Sequence, residues 1–387
     1  MKQASLEPLL EVARKSRAWA CYDCGKCTAT CPSVLAGGTL SPRRQLLAAN
    51  LGQSPREILT DHALFNCLTC ALCSERCPAG VDYIWLVMQL REYAHLEHYE
   101  PECPHGAALQ SLMRLMARGG MRQNRLEWLT PDLKTVRRQG DTFYWTGCTM
   151  YYDALFPDYG TDMLAATRAG VRLLNRLGVV PVVSPHERCC GHDLLWNGDR
   201  KNFERLARHN VKLVEESGAD TLITPCAECL RTWQIDYAPF FARRTPRLLH
   251  LSQVLAERMG ELKLKHDGEF VVTYQDPCRL GRHLGIYDAP RQVLASLPDV
   301  RLVEMAHSGR RSICCAGASW SNCDHYAKLI QIDRLREARE TGAEYLITAC
   351  PKCQLHFACA MRDPGLRSGI EIPMRDLGTL VAEALAE

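Results

Sequence analysis

The chain has 387 residues, and its 47 basic and 44 acidic residues give a formal net charge of +3. This length suits two or three domains, and the near balance of charge excludes the basic surface expected of a nucleic-acid-binding protein. No apolar stretch reaches the roughly 18 residues that span a bilayer, and the first residues lack a signal-peptide pattern. We therefore expect a cytoplasmic protein that meets a membrane only through a partner.

Cysteine is unusually frequent, with 21 in the chain. A disulfide framework is typical of small secreted domains, whereas this chain is long enough to bury a core without one. Metal binding is the better interpretation, because all but three of the cysteines belong to repeated motifs with regular spacing. The exceptions, Cys103, Cys323 and Cys359, are interpreted as small hydrophobic core residues.

The first hundred residues contain the spacing C-x2-C-x2-C-x3-C-P twice. The copies are Cys21, Cys24, Cys27, Cys31, Pro32 and Cys67, Cys70, Cys73, Cys77, Pro78. This spacing is typical of ferredoxins with two cubane [4Fe-4S] clusters, in which the fourth cysteine of each run binds the other cluster. The predicted ligand sets are therefore Cys21, Cys24, Cys27, Cys77 and Cys67, Cys70, Cys73, Cys31. Zinc is the alternative, but a tetrahedral zinc site typically uses two separate CxxC pairs.

Apolar residues at helical spacing surround both runs, so residues 1–100 are predicted to form an all-α, ferredoxin-like domain for two clusters. Between the runs, residues 41–61 are predicted to be a helical connector that breaks at residues 52–55. Residues 101–140 mix proline and glycine with a helical stretch at 108–116, and we interpret them as a linker. The linker is also a candidate docking surface for another protein.

From about Phe143 onward, short apolar runs alternate with helical stretches, which predicts an α/β domain with parallel strands. This half is duplicated into residues 141–262 and 263–387, because residues 218–229 match residues 342–353 at an offset of 124. Each copy carries five cysteines in the same order. They are Cys148, Cys189, Cys190, Cys226, Cys229 and Cys278, Cys314, Cys315, Cys350, Cys353. The whole chain is thus predicted to be α+β.

Each of these cysteine groups follows a predicted strand. The strands are predicted at residues 143–146, 179–183, 222–224, 270–274, 302–304 and 346–348. Loops after parallel strands meet at one edge of a sheet, so the five thiols of each copy should converge there. Five thiols exceed the four that a cubane or a tetrahedral zinc ion takes. The alternatives are a vicinal disulfide at Cys189-Cys190 or Cys314-Cys315, or ordinary core cysteines.

These motifs resemble the heterodisulfide reductase family over nearly the whole chain. The segments CYDCGKCTATCP and CSERCPAGVD resemble its small ferredoxin-like subunit, and the two five-cysteine copies resemble the CCG modules of its catalytic subunit. The resemblance implies a natural fusion, in which two cubane clusters pass electrons to two non-cubane [4Fe-4S] clusters that split a disulfide. Each non-cubane cluster would take the five cysteines of one module. The second module departs from the family pattern at Ala316, where glycine is usual, and a required positive φ would make that alanine costly.

The segment DPCRLGRHLGIYDAPRQVL equally resembles iron-sulfur subunits of glycolate oxidase, lactate utilisation and anaerobic glycerol-3-phosphate dehydrogenase complexes. This implies an alternative function, a relay for a flavoprotein hydroxy-acid dehydrogenase. No G-x-G-x-x-G follows a predicted strand, so either function needs a partner, such as a flavoprotein, a membrane cytochrome b or a hydrogenase. A third interpretation is a structural protein in which the clusters only stabilise the fold. The apolar strands disfavour it, because they are sufficient to build a core without metal.

Cationic residues beside the predicted modules are candidates for a substrate pocket. They are His186, Arg188, His192, Arg279, Arg282 and His283. Their alternative role is to balance the negative charge of the clusters. In a reductase the iron would carry the sulfur chemistry, and the protein would supply cluster position, potential and the pocket.

Overall fold

A computed structural model gives the fold of the chain. It describes residues 9–53, 58, 62–101, 103, 105–123, 125–161, 163–265, 268–317, 320, 321, 323–365 and 369–386. The predicted break at residues 52–55 lies partly outside these ranges. Within the described part of the chain, no helix is both long enough and apolar enough to cross a bilayer.

The two cysteine runs lie among helices, as predicted. The helices are α1 (Leu9–Lys15), α2 (Lys26–Ala29), α3 (Pro32–Leu35), α4 (Pro42–Asn50), α5 (Leu72–Glu75), α6 (Tyr83–Leu96) and α7 (Ala108–Met116). Ser41 begins α4 by accepting a hydrogen bond from the backbone N–H of Arg44, and Asp82 begins α6 in the same way. Helices α2 and α5 occupy equivalent places in the two runs and pack against each other. The two runs therefore face one another.

The second half contains two parallel sheets. The strands are β1 (Thr142–Tyr144), β2 (Thr221–Thr224), β3 (Arg247–His250), β4 (Phe270–Gln275), β5 (Val300–Leu302), β6 (Tyr345–Thr348) and β7 (Met374–Asp376). Their spatial orders are β1-β2-β3 and β5-β4-β6-β7. Phe143 pairs with Leu222 in the first sheet, and Thr273 pairs with Leu346 in the second. The expected duplicated α/β architecture is confirmed.

The two sheets share one topology, in which β1, β2 and β3 correspond to β4, β6 and β7. Val182 takes the place of β5, because it forms a parallel bridge to Phe143. The strand predicted at residues 179–183 is wrong in extent, since only Val182 forms bridges there, one to Phe143 and one to Val136. Pro181 has no backbone N–H, and the resulting gap in the ladder keeps the run from becoming a full strand. Strands β3 and β7 were not among those predicted.

Helices cover the sheets and join the two copies, which we call the first module (residues 141–262) and the second module (residues 263–387). The helices are α8 (Thr149–Leu155), α9 (Met163–Arg176), α10 (His192–Trp196), α11 (Arg200–Ser217), α12 (Ala227–Arg231), α13 (Leu251–Arg258), α14 (Asp288–Ala295), α15 (His325–Glu340), α16 (Pro351–Arg362) and α17 (Leu377–Glu383). The modules meet where α9 packs on α17 and α13 packs on α14.

The predicted linker is largely packed against both modules. Its helix α7 has the predicted bounds and buries Met113 and Met116. Gln110 Nε2 donates to the Trp320 carbonyl of the second module at 3.3 Å, and Arg188 Nη1 of the first module donates to the Met116 carbonyl at 2.7 Å. This part of the segment is thus packed against both modules and is not a free linker. The domain limits stay predictions.

Candidate iron-sulfur centres

The first cysteine run opens to solvent. One cavity is lined by the thiol-bearing residues Cys21, Cys24, Cys27 and Cys77, with Cys73 of the second run in its wall. Cys24 is exposed, and its sequence neighbours Trp19 and Tyr22 have 67% and 73% of their surface exposed. The structure therefore gathers the predicted first ligand set at the protein surface.

The second run is buried instead. Cys67, Cys70 and Cys73 are buried, and so is Cys31, which reaches them from the first run. Burial raises the pKa of Cys31 to about 12, and the neighbouring Cys67 and Cys70 add to the effect. The four thiols of the predicted second set thus lie near one another, while their assignment as cluster ligands stays a prediction.

Both runs use the same unusual backbone. The residues that flank the second cysteine are left-handed, with φ of 54° and 73° at Asp23 and Gly25 and of 49° and 60° at Thr69 and Ala71. Such angles are uncommon outside glycine and cluster at functional sites. Their recurrence at equivalent positions indicates that the C-x2-C-x2-C loop itself requires them.

The five thiols of the first module converge. Cys148 Sγ lies 2.8 Å from Cys189 Sγ, and Cys229 Sγ lies 3.5 Å from Cys190 Sγ. Hydrogen bonds with Cys229, and with Cys350 of the second module, lower the pKa of the Cys226 thiol to about 6. The loops after β1, the Val182 bridge and β2 therefore bring their sulfurs to one place.

A buried carboxylate supports the Cys148 loop. Glu187 accepts a hydrogen bond from the Gly147 backbone N–H at 2.6 Å and pairs with buried Arg125 at 3.3 Å. Burial raises the pKa of Glu187. Gly147 has a φ of 66°, and a Cβ there would come within 2.9 Å of Cys229 Sγ, so the loop has room only for glycine.

Cys314 is the centre of the second module's thiols. It is hydrogen-bonded to Cys278 and Cys315, while Cys353 is hydrogen-bonded to Cys315 and Cys350. The bond to Cys314 lowers the pKa of Cys278. The second module thus gathers its five sulfurs as the first module does.

Ala316 adopts the backbone that glycine adopts in the first module. Its φ is 57°, against 72° for Gly191, and its side chain is fully buried. A left-handed conformation costs an L-residue roughly 1–2 kcal/mol, so the second module carries a strain that the first one avoids.

Two thiol contacts connect the sites. Cys70 of the second run is hydrogen-bonded to Cys314 of the second module, which lowers the pKa of Cys70 to about 6. Cys226 of the first module is hydrogen-bonded to Cys350 of the second. Thiol contacts therefore lead from the buried run through the second module to the first.

Arg279 ties three parts of the chain together at this point. Its Nε donates to His192 Nε2 of the first module at 2.9 Å, and its Nη2 donates to Thr69 Oγ1 of the second run at 2.7 Å. Its guanidinium lies 4.1 Å from the centre of the Trp196 ring. Arg279 is buried, so these contacts satisfy a charge that water does not reach.

Two neighbours of Arg279 hold the same loop. His283 Nε2 lies 3.0 Å from the Thr69 carbonyl oxygen, and Arg282 Nε donates to the Cys70 carbonyl at 2.6 Å. Burial lowers the pKa of His283, and nearby arginines lower it further. The second run is therefore docked onto the second module mainly through backbone carbonyls.

An ion cluster lies between the modules. Lys352 Nζ donates to Asp193 Oδ1 and, at 2.7 Å, to Glu228 Oε2, while His192 Nδ1 lies 3.1 Å from Asp193 Oδ1. Burial opposes the charge on Lys352, but the two carboxylates prevail and raise its pKa. The histidine and the carboxylates have the spacing of a metal site, but the ammonium group already occupies the position between the carboxylates. Glu228 and Lys352 hold equivalent places in the two CxxC motifs.

The six predicted pocket residues divide into two groups. His192, Arg279, Arg282 and His283 meet where the second cysteine run contacts the two modules, a place that we call the junction. His186 is exposed, and Arg188 bonds the carbonyls of Met116 and Arg118 near the end of α7. A role of His186 and Arg188 in a pocket stays a prediction.

The three remaining cysteines are half-buried. Cys323 and Cys359 line a cavity of about 370 Å³ that also contacts Trp320 and His356. Cys323 packs against the hydrophobic core, in line with its interpretation as a small hydrophobic residue, while that interpretation stays a prediction for Cys103 and Cys359.

The thiols present suit iron-sulfur clusters. All 21 cysteines are free, and those of the motifs form groups of four and five sulfurs in contact or close by. The sequence did not reveal the residues that hold the cysteine loops in place through hydrogen bonds, notably Glu187, Arg125 and Thr69. A charged residue inside each CxxC motif was visible, and the opposite signs at Glu228 and Lys352 could have suggested that the modules face each other.

Comparison with known proteins agrees with this geometry. A model of the cysteine-rich CCG domain matches residues 142–234 and 272–358, and a model of the 4Fe-4S dicluster domain matches residues 17–81. The protein is thus an iron-sulfur oxidoreductase of the CCG class. The chain is 31% identical to a subunit of the dihydromethanophenazine:CoB--CoM heterodisulfide reductase of Methanosarcina barkeri, over 95% of this chain and 93% of that one. It belongs to this heterodisulfide reductase family.

Two further similarities are more distant. A subunit of the fumarate reductase (CoM/CoB) of Methanothermobacter marburgensis is 27% identical over 89% of this chain and 68% of its own length. A crystal structure of a hypothetical protein from Helicobacter pylori aligns with a TM-score of 0.51 at 12% identity, over 78% of this chain and 58% of that chain. The latter likeness concerns the fold alone.

Proposed function

We propose that this chain is part of a larger reductase, in which it receives electrons from a partner protein and reduces a disulfide to two thiols between its modules. The eighteen motif cysteines would hold two cubane and two non-cubane [4Fe-4S] clusters, which supply one-electron storage and iron sites for thiolates. The similarity to a heterodisulfide reductase of Methanosarcina barkeri supports this proposal.

The continuous series of thiol groups carries the proposal. The series begins at the exposed Cys24, continues with the buried second run, and reaches the second module at the Cys70 and Cys314 contact. It ends in the first module through the contact between Cys226 and Cys350. An uninterrupted series with one exposed end and two adjoining sites at the other suits electron delivery to a two-electron reaction.

The exposed end also suits a partner. Trp19 and Tyr22 present large apolar surfaces beside Cys24, and aromatic residues are enriched at protein interfaces. Replacing both by serine should weaken electron transfer from the partner while leaving iron content unchanged. Replacing the equally exposed Leu51, which α4 carries at its end, is the matched control.

Residues between the modules place fixed positive charges beside the module thiols, and these thiols are shielded from water. Most module thiols are buried, with exposed fractions of 2% to 5% at the seven most enclosed. Arg279 and Lys352 place two buried cations beside them, which offset the negative charge that thiolates and clusters concentrate there.

Anaerobic iron and sulfide analysis, combined with low-temperature electron paramagnetic resonance, tests the proposal. We expect about sixteen irons per chain and a new signal when a small thiol is added to the oxidised protein. Replacing Cys148 or Cys278 by serine should each remove about four irons or alter the signal of one site. The matched Cys103→Ser variant should do neither, because Cys103 lies outside the motifs. About eight irons in the unmodified protein would exclude two loaded modules.

A relay for a flavoprotein dehydrogenase is the second candidate. The deep burial of the module thiols favours it, because a substrate needs access that an electron does not. The relative that belongs to a fumarate reductase also fits such a role. The decisive assay supplies electrons from a reduced viologen and measures thiol release from a small disulfide. Full iron content without thiol release and without a thiol-dependent signal would favour the relay.

A further inference from the structure

The cavity beside the second module holds a thiol that the proposed electron path does not use. Cys359 lies on α16, and its Sγ accepts a hydrogen bond from Lys328 Nζ at 2.8 Å. The Tyr159 hydroxyl is also hydrogen-bonded to this sulfur; burial and this bond together raise the pKa of Tyr159. Two donors thus converge on one sulfur. The thiolate is the nucleophilic form of cysteine, and reactive cysteines typically have an ammonium group beside the sulfur.

The same cavity carries unused hydrogen-bonding groups. Trp320 and His356 line it and are 2% and 3% exposed, yet Trp320 Nε1 and His356 Nε2 have no hydrogen-bond partner among the described residues. Buried polar atoms usually have partners in native proteins, so these two are available to a ligand that enters the cavity. The cavity volume of about 370 Å³ suits a small molecule.

We propose that Cys359 is a thiol-exchange site, at which a low-molecular-weight disulfide becomes covalently attached inside this cavity. The Cys359 thiolate attacks one sulfur of the disulfide RSSR and forms a Cys359–S–S–R bond. The original S–S bond breaks, and the RS⁻ that leaves takes a proton from water. Cys359 is oxidised and the departing thiol is reduced, so the step needs no further oxidant.

The other cysteines near this cavity are poor competitors. Burial raises the pKa of Cys323 to about 12, which keeps it as a thiol near neutral pH. Cys103 Sγ donates to Gln110 Oε1 at 3.9 Å and has no ammonium group recorded beside it in the described part of the chain. An attached group at Cys359 would face Trp320 and His356, which belong to the second module. The site goes beyond the proposed reductase activity and does not depend on it.

Peptide mapping by mass spectrometry tests the site. The anaerobic, iron-loaded protein is exposed to bis(2-hydroxyethyl) disulfide, and the modified cysteine and its rate are measured. We expect one fast addition at Cys359, absent in Cys359→Ser and slowed about tenfold in Lys328→Met. Tyr159→Phe, which removes only the hydroxyl, should slow it less, and Cys103→Ser should react normally.

Two kinds of result would contradict an exchange site at Cys359. The first is fast addition at Cys323, at Cys103 or at a motif cysteine, and the second is an unchanged rate in Lys328→Met. Iron content measured in the same samples shows whether each variant is intact. If Lys328→Met proves unstable, Tyr159→Phe still decides the matter, because an unchanged rate in that variant contradicts the two-donor arrangement.

Discussion

The two modules share a topology and a cysteine order, yet they differ where they meet each other. The CxxC motif of the first module contains Glu228 and that of the second contains Lys352, and the two side chains pair at 2.7 Å. The residue after the first cysteine is Thr149 in one module and Arg279 in the other. Identical modules would place like charges in contact at this buried interface, which is strongly unfavourable. Divergence at a few equivalent positions thus makes the duplicated halves complementary.

Breaking the central ion pair should have the largest effect. Lys352→Met leaves the buried Asp193 and Glu228 carboxylates without their cation, so we expect a loss of about 3–5 kcal/mol in the free energy of unfolding. The thermal midpoint should fall by about 4–6 °C. Adding Glu228→Gln should recover part of the loss. Lys212→Met, in an exposed pair with Glu216, should change the midpoint little, and an equal drop there would contradict the argument.

Removing the arginine of the second module should cost somewhat less. Arg279→Met deletes the contacts with Thr69, His192 and Trp196, and we expect a loss of about 2–4 kcal/mol. Thr149→Val, the equivalent change in the first module, removes only contacts within that module and should cost about 1 kcal/mol. Thermal unfolding compares the two. Equal losses would show that Arg279 does not join the modules.

The pH dependence of stability should differ in sign between two equivalent helix caps. His250 begins α13 after β3, and Asp376 begins α17 after β7. Burial lowers the pKa of His250 to about 4 and raises that of Asp376 to about 7. The unfolded chain therefore takes up a proton at His250 as the pH falls below about 6.5, which destabilises the fold. At Asp376 the unfolded chain releases its proton first, so stability is lost as the pH rises from about 4 to 7.

Asparagine at either cap removes the titration and keeps a capping side chain. Between pH 7 and pH 5, His250→Asn should lose about 2 kcal/mol less stability than the parent. Asp376→Asn should show a change of similar size in the opposite direction. Melting at several pH values, compared between variants so that cluster effects cancel, measures both. Shifts of the same sign in the two variants would refute the assignment.

The smallest effect concerns the left-handed residue after each pair of adjacent cysteines. Gly191→Ala should destabilise by about 1 kcal/mol, since a Cβ there would lie 3.1 Å from Leu206 Cδ1 at a positive φ. Ala316→Gly relieves strain but removes a buried methyl group and adds chain entropy, so it should be nearly neutral. Chemical denaturation resolves the pair. A large gain from Ala316→Gly would mean that the strain dominates.

The sequence predicts the repeats well because cysteine spacing and hydrophobic alternation are local signals. The offset of 124 residues between the CxxC motifs locates the two modules, and most strands follow from their apolar runs. Strands β3 and β7 escape prediction because Arg247–His250 and Met374–Asp376 are short and contain charged residues. Pro181 shortens a run that otherwise has a strand pattern.

The junction could not be predicted, because its contacts join distant parts of the chain. Thr69 and Arg279 are separated by 210 residues, and nothing in either local pattern points to the other. Arg279, Arg282 and His283 do lie near the modules, as predicted, but their partners include carbonyls of the second run rather than an open pocket.

The long-range docking of the second run has a consequence for biosynthesis. In the described part of the chain, the carbonyls of Thr69 and Cys70 accept hydrogen bonds from side chains of residues 279–283, so this surface stays uncovered while the first module is being translated. We therefore expect the second run to remain accessible to the machinery that delivers iron and sulfide until the second module emerges from the ribosome. Stalled chains that end before Arg279 should expose Cys70 to a thiol reagent, whereas completed, folded chains should protect it.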